Sequence, residues 1–134
     1  MIYAVIDTNV FVSALFTKNP HSATTKVIEA LVDGTITLLY NEQIIAEYRE
    51  VLGRERFHIS DAERRILFNY IRKNGILTDR TTFDHLFIDE SDRVFYEVAL
   101  SEEDSFLVTG NLKHFPTEPR VVTPAQMLEI LEKE

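Results

Sequence analysis

Residues 1–15, MIYAVIDTNVFVSAL, contain the change of pattern that decides the fold. Ile2 to Ile6 form an apolar run of strand length, which predicts a strand buried on both faces. The run stops at Asp7, and the residues that follow have the spacing of a helix. A single carboxylate at the exit of a buried strand does not indicate a function, so a functional site requires other groups that converge on it.

The rest of the chain alternates predicted strands with predicted helices. Beyond the first strand, extended segments are predicted at 35–40, 76–78, 105–109 and 120–122. Helices are predicted at 10–16, 22–32, 41–53, 60–75 and 125–131, and residues 89–92 open a further helix. Because the strands are apolar on both faces and separated by helices, this order predicts an α/β fold, a three-layer α/β/α sandwich around a mainly parallel sheet.

Local signals mark the ends of several of these helices. Asn41 is a predicted cap for the helix after the second strand, and Ser60 with Glu63 has the spacing of a capping box. Residues 79–90 have no clear periodicity and receive no assignment. In the helix at 60–75, the residues expected to face inward are Ile66, Leu67, Tyr70 and Ile71.

Length, composition and charge exclude several classes of protein. A chain of 134 residues fits a single domain over 1–134, with no membrane span or signal peptide expected, because the apolar runs are only strand-sized. The absence of cysteine excludes disulfides and thiol chemistry and agrees with a cytoplasmic location. A net charge of -8 argues against non-specific attraction to nucleic acid, yet it permits a nucleic-acid enzyme and suits a basic protein partner.

Oxygen-bearing side chains follow several of the predicted strands. Asp7 ends the first strand, Asn111 comes just after the strand SFLVT, and Glu47 lies on the second turn of the helix after TITLLY. Asp89 and Asp92 open another helix beside the sheet. Because ligands of open α/β sheets bind beyond the carboxyl ends of the strands, we expect these groups to meet at one rim.

Each of these acids also has a simpler interpretation. Asp7 has the position of a helix cap, Glu47 has that of an exposed helical residue, and Asp89 with Asp92 complements a helix dipole. Convergence favours a site, since neighbouring unpaired carboxylates repel unless a cation compensates them. An all-oxygen cluster suits Mg²⁺ or Mn²⁺, which activates water and stabilises charge on a phosphoryl oxygen. The chemistry indicated is phosphodiester hydrolysis.

Four motifs resemble those of a known family. The segments VIDTNVFVSAL, NEQIIAEYREVL, DESDRVFYEVA and FLVTGNLKHF, in this order and spacing, resemble the PIN-domain ribonucleases. They are most similar to the PIN-family (VapC-like) toxins of bacterial and archaeal toxin–antitoxin pairs. With the closing stretch VVTPAQMLEIL, the resemblance spans nearly the whole chain. It implies a PIN-like three-layer α/β/α sandwich.

The resemblance also implies a set of site residues. The catalytic residues would be Asp7, Glu47, Asp92 and Asn111, of which the three acids would hold one or two Mg²⁺ or Mn²⁺ ions. Relatives often have aspartate where this chain has Asn111, a neutral oxygen donor. The secondary candidates are Thr8, Asn9, Asp89 and Arg93.

The implied activity is that of a metal-dependent endoribonuclease. It would hydrolyse single-stranded or structured RNA through a metal-activated water, act as a toxin paired with a small basic antitoxin, and form a homodimer in the cytoplasm. Two alternatives stay open: a weak or inactive PIN-fold module that binds RNA or protein, and a phosphatase with Asp7 as nucleophile. The segment DTN lacks the second acid of such phosphatases. The four histidines, including His114, have no metal-ligand spacing.

Overall fold

Five parallel strands form the central sheet of the computed structural model, which describes residues 1–134. The strands are β1 (Ile2–Ile6), β2 (Ile36–Tyr40), β3 (Ile76–Leu77), β4 (Phe106–Val108) and β5 (Val121–Val122), in the spatial order β3-β2-β1-β4-β5. β1 pairs in parallel with β2 on one side and with β4 on the other. The predicted parallel sheet is confirmed, and β1 lies at its centre.

Six α-helices flank this sheet. They are α1 (Thr8–Thr17), α2 (Ala23–Val32), α3 (Glu42–Leu52), α4 (Asp61–Asn74), α5 (Arg93–Leu100) and α6 (Pro124–Glu132), and short 3₁₀ turns occur at Glu55–Phe57, Glu90–Asp92 and Leu112–His114. This arrangement confirms the predicted α/β class and is consistent with a PIN-like fold. None of the helices has the length and apolarity that crossing a membrane requires.

The helix caps form as the sequence predicts. The Asn41 side chain accepts a hydrogen bond from the Ile44 amide at 2.8 Å, and Ser60 with Glu63 forms a reciprocal capping box. Each such cap contributes about 1 kcal/mol to helix stability. The helix N-termini next to the sheet are therefore fixed by local sequence.

An aromatic cluster in the core fixes the carboxyl end of β1. The Tyr48 ring packs edge-on against Phe11 with centroids 4.9 Å apart and lies 6.2 Å from Phe95, so that α3 contacts both α1 and α5 through aromatic rings. The Tyr48 hydroxyl donates a hydrogen bond of 2.5 Å to the carbonyl of Ile6. All three rings are almost fully buried. The last residue of β1 is thus held directly from α3.

Segment 78–88, most of which falls in the stretch 79–90 that the sequence left unassigned, has no helix or strand but is tied to α5. The buried carboxylate of Glu97 accepts hydrogen bonds from Arg80 Nε at 2.8 Å and from the Phe83 amide at 2.9 Å. Arg93 donates to the carbonyls of Phe83 and His85. The segment is therefore anchored by charge-assisted hydrogen bonds.

One residue of the predicted inner helix faces is wrong. Ile66 was expected to face inward but is 70% exposed, and Phe68 is buried in the inner face of α4 together with Leu67 and Ile71. The larger aromatic side chain of Phe68 packs inward, and the Arg49 guanidinium lies 5.2 Å from the centroid of its ring. The prediction that residues 89–92 open a helix is confirmed: Asp89 caps a 3₁₀ turn by accepting from the Ser91 amide, and Asp92 is the N-cap residue of α5, which begins at residue 93.

Candidate active site at the carboxyl end of the sheet

Asp7 is a buried carboxylate at the end of the central strand. It is only 5% exposed, and its amide donates to the carbonyl of Val108 on β4 at 2.9 Å. Although Asp7 occupies the N-cap position of α1, its side chain forms no capping hydrogen bond. Its Oδ2 instead accepts a hydrogen bond of 2.8 Å from the Thr109 hydroxyl. Asp7 is therefore held toward β4 and does not act as a cap.

Thr109 is a site residue that the sequence analysis missed. It is fully buried directly after β4, donates to Asp7 and accepts from the Asn111 amide at 3.0 Å. The parallel register pairs Ile6 with Val108, so the residues that follow them are level with each other. A hydroxyl residue at the end of the predicted strand 105–109 was the available signal. Thr109 links Asp7 to the turn that carries Asn111.

Glu47 reaches the same rim from α3. Its half-buried carboxylate accepts a hydrogen bond of 2.5 Å from the hydroxyl of Thr8, which is itself 3% exposed. Thr8 is the first residue of α1 and follows Asp7 directly. This contact joins the start of α1 to the middle of α3, and it places Thr8 behind Glu47.

Asp92 lies at the start of α5 and is held by a histidine. Its carboxylate Oδ2 is 3.0 Å from Nδ1 of His114, which lies in the 3₁₀ turn after Asn111. The sequence gave no role to His114, because its spacing from the acids follows no metal-ligand pattern. The contact forms only because β4 and α5 bring distant segments together.

The carboxylates share one electrostatic environment. Burial raises the pKa of Asp7, and the hydrogen bond from Thr109 offsets this only in part, while the charge of Asp92 raises the pKa further. Burial also raises the pKa of Glu47. The hydrogen bond from Thr8 lowers this pKa, and the charges of Asp7, Asp92 and Asp89 raise it.

The remaining carboxylate of this group follows the same pattern. Burial raises the pKa of Asp92, the hydrogen bond with His114 lowers it, and the charge of Asp89 raises it again. Like charge thus acts on all three predicted acids: Asp92 on Asp7, both of these on Glu47, and Asp89 on Asp92. Ionised carboxylates in this arrangement favour a compensating cation.

The donor set fits a divalent cation in its chemistry but is not drawn together. Carboxylate and amide oxygens are the ligands that Mg²⁺ and Mn²⁺ prefer. However, the structure contains no group of three or more His, Cys, Asp or Glu side chains close enough to hold an ion. Each carboxylate instead has its own hydrogen-bond partner: Thr109 for Asp7, Thr8 for Glu47 and His114 for Asp92.

The other predicted site residues lie around these carboxylates and differ in the contacts that their side chains make. The half-buried Asn111 forms no side-chain capping bond, and Asn9 is exposed on the first turn of α1. Asp89 is exposed, and hydrogen bonds from Ser91 lower its pKa. Arg93 pairs with Glu90 and holds segment 78–88. The guanidinium of Arg93 is therefore committed to contacts within the protein.

A sequence model of one protein family, described as PIN domain, matches residues 3–113 of the chain. The chain belongs to the PIN-domain family. Asp7, Glu47, Asp92 and Asn111 all lie within the matched residues of this PIN domain. Comparison with curated proteins and with solved structures finds no significant match. Since PIN domains are generally nucleases, membership of the family supports a hydrolase that acts on nucleic acids.

Replacing Asp7 by asparagine is expected to stabilise the metal-free protein at neutral pH. The unfolded chain ionises at the ordinary pKa of 3.8, whereas burial raises the folded pKa, so the folded protein holds the proton to higher pH. The contribution of Asp7 to the free energy of unfolding therefore falls as pH rises from 3.8 through the raised value. The gain in Asp7→Asn should be largest at neutral pH and vanish in acid.

Urea unfolding in chelator across this pH range measures the effect. The matched control is Asp104→Asn, an exposed aspartate just before β4, which should change stability by less than about 0.5 kcal/mol. A variant Asp7→Asn that is less stable than wild type at neutral pH would show that the buried charge is compensated within the protein.

Proposed function

We propose that this PIN domain is a metal-dependent endoribonuclease whose catalytic residues are Asp7, Glu47, Asp92 and Asn111. The observation that carries the proposal is the like-charge repulsion that acts on each of three carboxylates, which lie directly after β1, on α3 and at the start of α5. A folded protein keeps such charges together at a cost in stability, and a divalent cation offsets that cost. The usual use of divalent metals by PIN domains supports the same assignment.

The carboxylates of Asp7, Glu47 and Asp92 would hold Mg²⁺ or Mn²⁺. When bound, such an ion lowers the pKa of water and stabilises negative charge on a phosphoryl oxygen, which is the chemistry of phosphodiester hydrolysis. Asn111 would contribute a neutral oxygen or a donor to the phosphate. The RNA strand is the proposed substrate.

Other residues of the chain orient these groups. Thr109 holds Asp7, Thr8 holds Glu47, and these hydroxyls fix the direction of each carboxylate before an ion binds. We assign Asn9 to substrate contact because it is exposed on the turn next to Asp7. Asp89 adds negative charge near Glu47 and Asp92, and Arg93 acts as a positioning residue through the segment that it holds.

The biological role that we propose is that of the toxin in a cytoplasmic toxin–antitoxin pair. The net charge of -8 suits a small basic antitoxin. An inactive RNA- or protein-binding module is the competing function, and the neutral Asn111 is the feature that favours it. Cleavage assays on the wild-type chain decide between the two.

Cleavage of single-stranded RNA is expected to require Mg²⁺ or Mn²⁺ and to stop in excess chelator. Asp7→Asn should reduce cleavage by more than the roughly 10- to 100-fold that loss of a group behind a metal ligand costs. Asp104→Asn is the matched control because it removes a carboxylate outside the cluster. Gel-based cleavage of a labelled RNA measures both, and cleavage that persists in chelator would disprove the metal dependence.

The neutral Asn111 allows a test of metal stoichiometry. Three carboxylates carry three negative charges against the four of two divalent ions, so one ion should bind well and a second weakly. Asn111→Asp adds the missing charge and should tighten metal binding by at least about tenfold. Calorimetric titration with Mn²⁺ measures affinity and stoichiometry.

The control for this titration is Asn69→Asp, which adds the same charge on the exposed side of α4. It should leave metal affinity unchanged. Identical affinity in wild type and Asn111→Asp would place residue 111 outside the metal site.

We also propose a homodimer. Phe16, Val32 and Ile66 are large apolar side chains left 50%, 57% and 70% exposed on α1, α2 and α4. Light scattering at micromolar concentration is expected to give twice the mass of the 15.5 kDa chain. Ile66→Ser, which removes exposed apolar surface, should weaken the dimer, and a monomeric mass for wild type would disprove it.

A further inference from the structure

A groove of about 310 Å³ lies next to the candidate active site and has no part in the function proposed above. It is lined by Phe83 with residues 85–88 on one side and by residues 113–116 on the other. We name it the His114 groove. His114 belongs to both places, because its Nδ1 is 3.0 Å from Asp92 Oδ2 while its side chain lines the groove. A ligand that contacts His114 in the groove therefore lies near the Asp92 carboxylate.

The walls of the His114 groove are aromatic and apolar. The Phe87 ring packs edge-on against Phe83 at 5.7 Å and against Phe115 at 6.0 Å, and the His85 ring lies 5.1 Å from Phe83. Ile88 is 76% exposed at the same place. The groove thus offers flat rings and open apolar surface to a ligand.

The wall formed by residues 83–88 is held in place before any ligand arrives. The Arg93 guanidinium lies 4.9 Å from the centroid of the Phe87 ring and donates to the carbonyls of Phe83 and His85. The amide of Phe83 is bound by the buried carboxylate of Glu97. A prearranged wall lowers the entropy cost of binding.

The charge of the groove differs from that of the protein as a whole. The chain has 22 acidic and 14 basic residues, yet the groove contains Lys113 and two imidazoles and no acidic side chain. Lys113 is exposed and forms no ion pair. A ligand with a flat ring and a negative group matches this combination.

We propose that the His114 groove binds an unpaired base of the RNA strand adjacent to the phosphate at the carboxylates. The inference rests on the proposed nuclease function and adds a second binding subsite to it. Aromatic and imidazole side chains bind bases by stacking, and a lysine nearby pairs with the strand's phosphate. A base in a duplex has both faces stacked on its neighbours, so the groove accepts a base only from an unpaired stretch.

A second protein chain fits the groove less well. A stable protein interface buries about 800 Å² on each partner, far more than a groove that accepts one flat group. A protein partner would also have to neutralise Lys113, whereas a nucleic-acid strand carries a phosphate at every nucleotide. Because His114 lines the groove and also contacts Asp92, the groove adjoins the candidate active site, which further favours an RNA strand as the ligand.

Binding of a fluorescein-labelled single-stranded RNA, followed by anisotropy in chelator, tests the groove without cleavage. His85→Ala and Lys113→Ala should each weaken binding about 5- to 10-fold. Lys113→Ala should also lower the salt dependence by about 0.7 in log–log slope. The matched controls are His21→Ala and Lys73→Ala, an exposed histidine and an exposed, unpaired lysine elsewhere, which should bind as wild type does.

Crosslinking of the wild-type protein gives an independent readout. RNA that contains 4-thiouridine should form adducts within residues 85–88 or 113–116 after irradiation, as located by mass spectrometry, and duplex RNA should not compete. Adducts found only elsewhere, unchanged affinity in both groove variants, or no RNA binding by wild type would overturn the proposal. A lower mass of the two variants in light scattering, with RNA binding intact, would assign the groove to a second copy and also overturn it.

The same variants separate this inference from the nuclease proposal. Groove-dependent binding without any cleavage in Mn²⁺ would remove the nuclease function and leave the groove as an RNA site. Cleavage by wild type together with unchanged binding and cleavage in both groove variants would remove the groove and leave the nuclease.

Discussion

The structure depends on the parallel pairing of β1 with a strand on each side. In parallel strands all carboxyl ends point to one rim, so the residues that follow each strand are brought together whatever their distance in sequence. The pairing of Ile6 with Val108 sets Asp7 beside Thr109, which is 102 residues away in sequence. Hydrophobic burial of β1 drives this pairing, because Ala4, Val5 and Ile6 are fully buried. The core thus places Asp7 where the charge of Asp92 raises its pKa.

The protein reduces this repulsion with hydrogen bonds to the carboxylates. Thr109, Thr8 and His114 each contact one carboxylate, and each contact lowers the pKa that burial and the other charges raise. The compensation is partial, since the pKa of every one of the three acids stays above its ordinary value. The site is therefore electrostatically incomplete in the protein alone, as the cation-dependent hydrolase proposed above would require.

The sequence predicted those features that depend on local pattern. Apolar runs of strand length, the Asn41 cap and the Ser60–Glu63 capping box all depend on residues within four positions of each other, and the structure confirms them. The rim position of Asp7, Glu47 and Asp92 followed from topology, since an alternating order of strands and helices constrains which ends meet.

Other features depend on packing between distant segments and could not be predicted in this way. Periodicity alone did not distinguish Ile66 from Phe68 on α4, because each lies about 100° from Leu67, on opposite sides of it, and either one extends an inner face centred on Leu67. Packing places Phe68 inward and leaves Ile66 exposed. Segment 78–88 has no periodicity of its own, and its path is set by the buried Glu97 and by Arg93. The contact between His114 and Asp92 requires the final placement of α5 against the turn after β4.

The hydrogen bond from Tyr48 to Ile6 has a mechanical consequence for the site. Tyr48 follows Glu47 directly, and Ile6 directly precedes Asp7. Through the Tyr48 side chain, this single bond therefore links the two backbone segments that carry these carboxylates. The distance between these two backbone segments is consequently set by packing in the hydrophobic core. Only rotation of the Asp7 and Glu47 side chains could then adjust the separation of their carboxylates to a bound ion. Phe11 and Phe95, which pack on the Tyr48 ring, therefore help to set the distance between the Asp7 and Glu47 carboxylates.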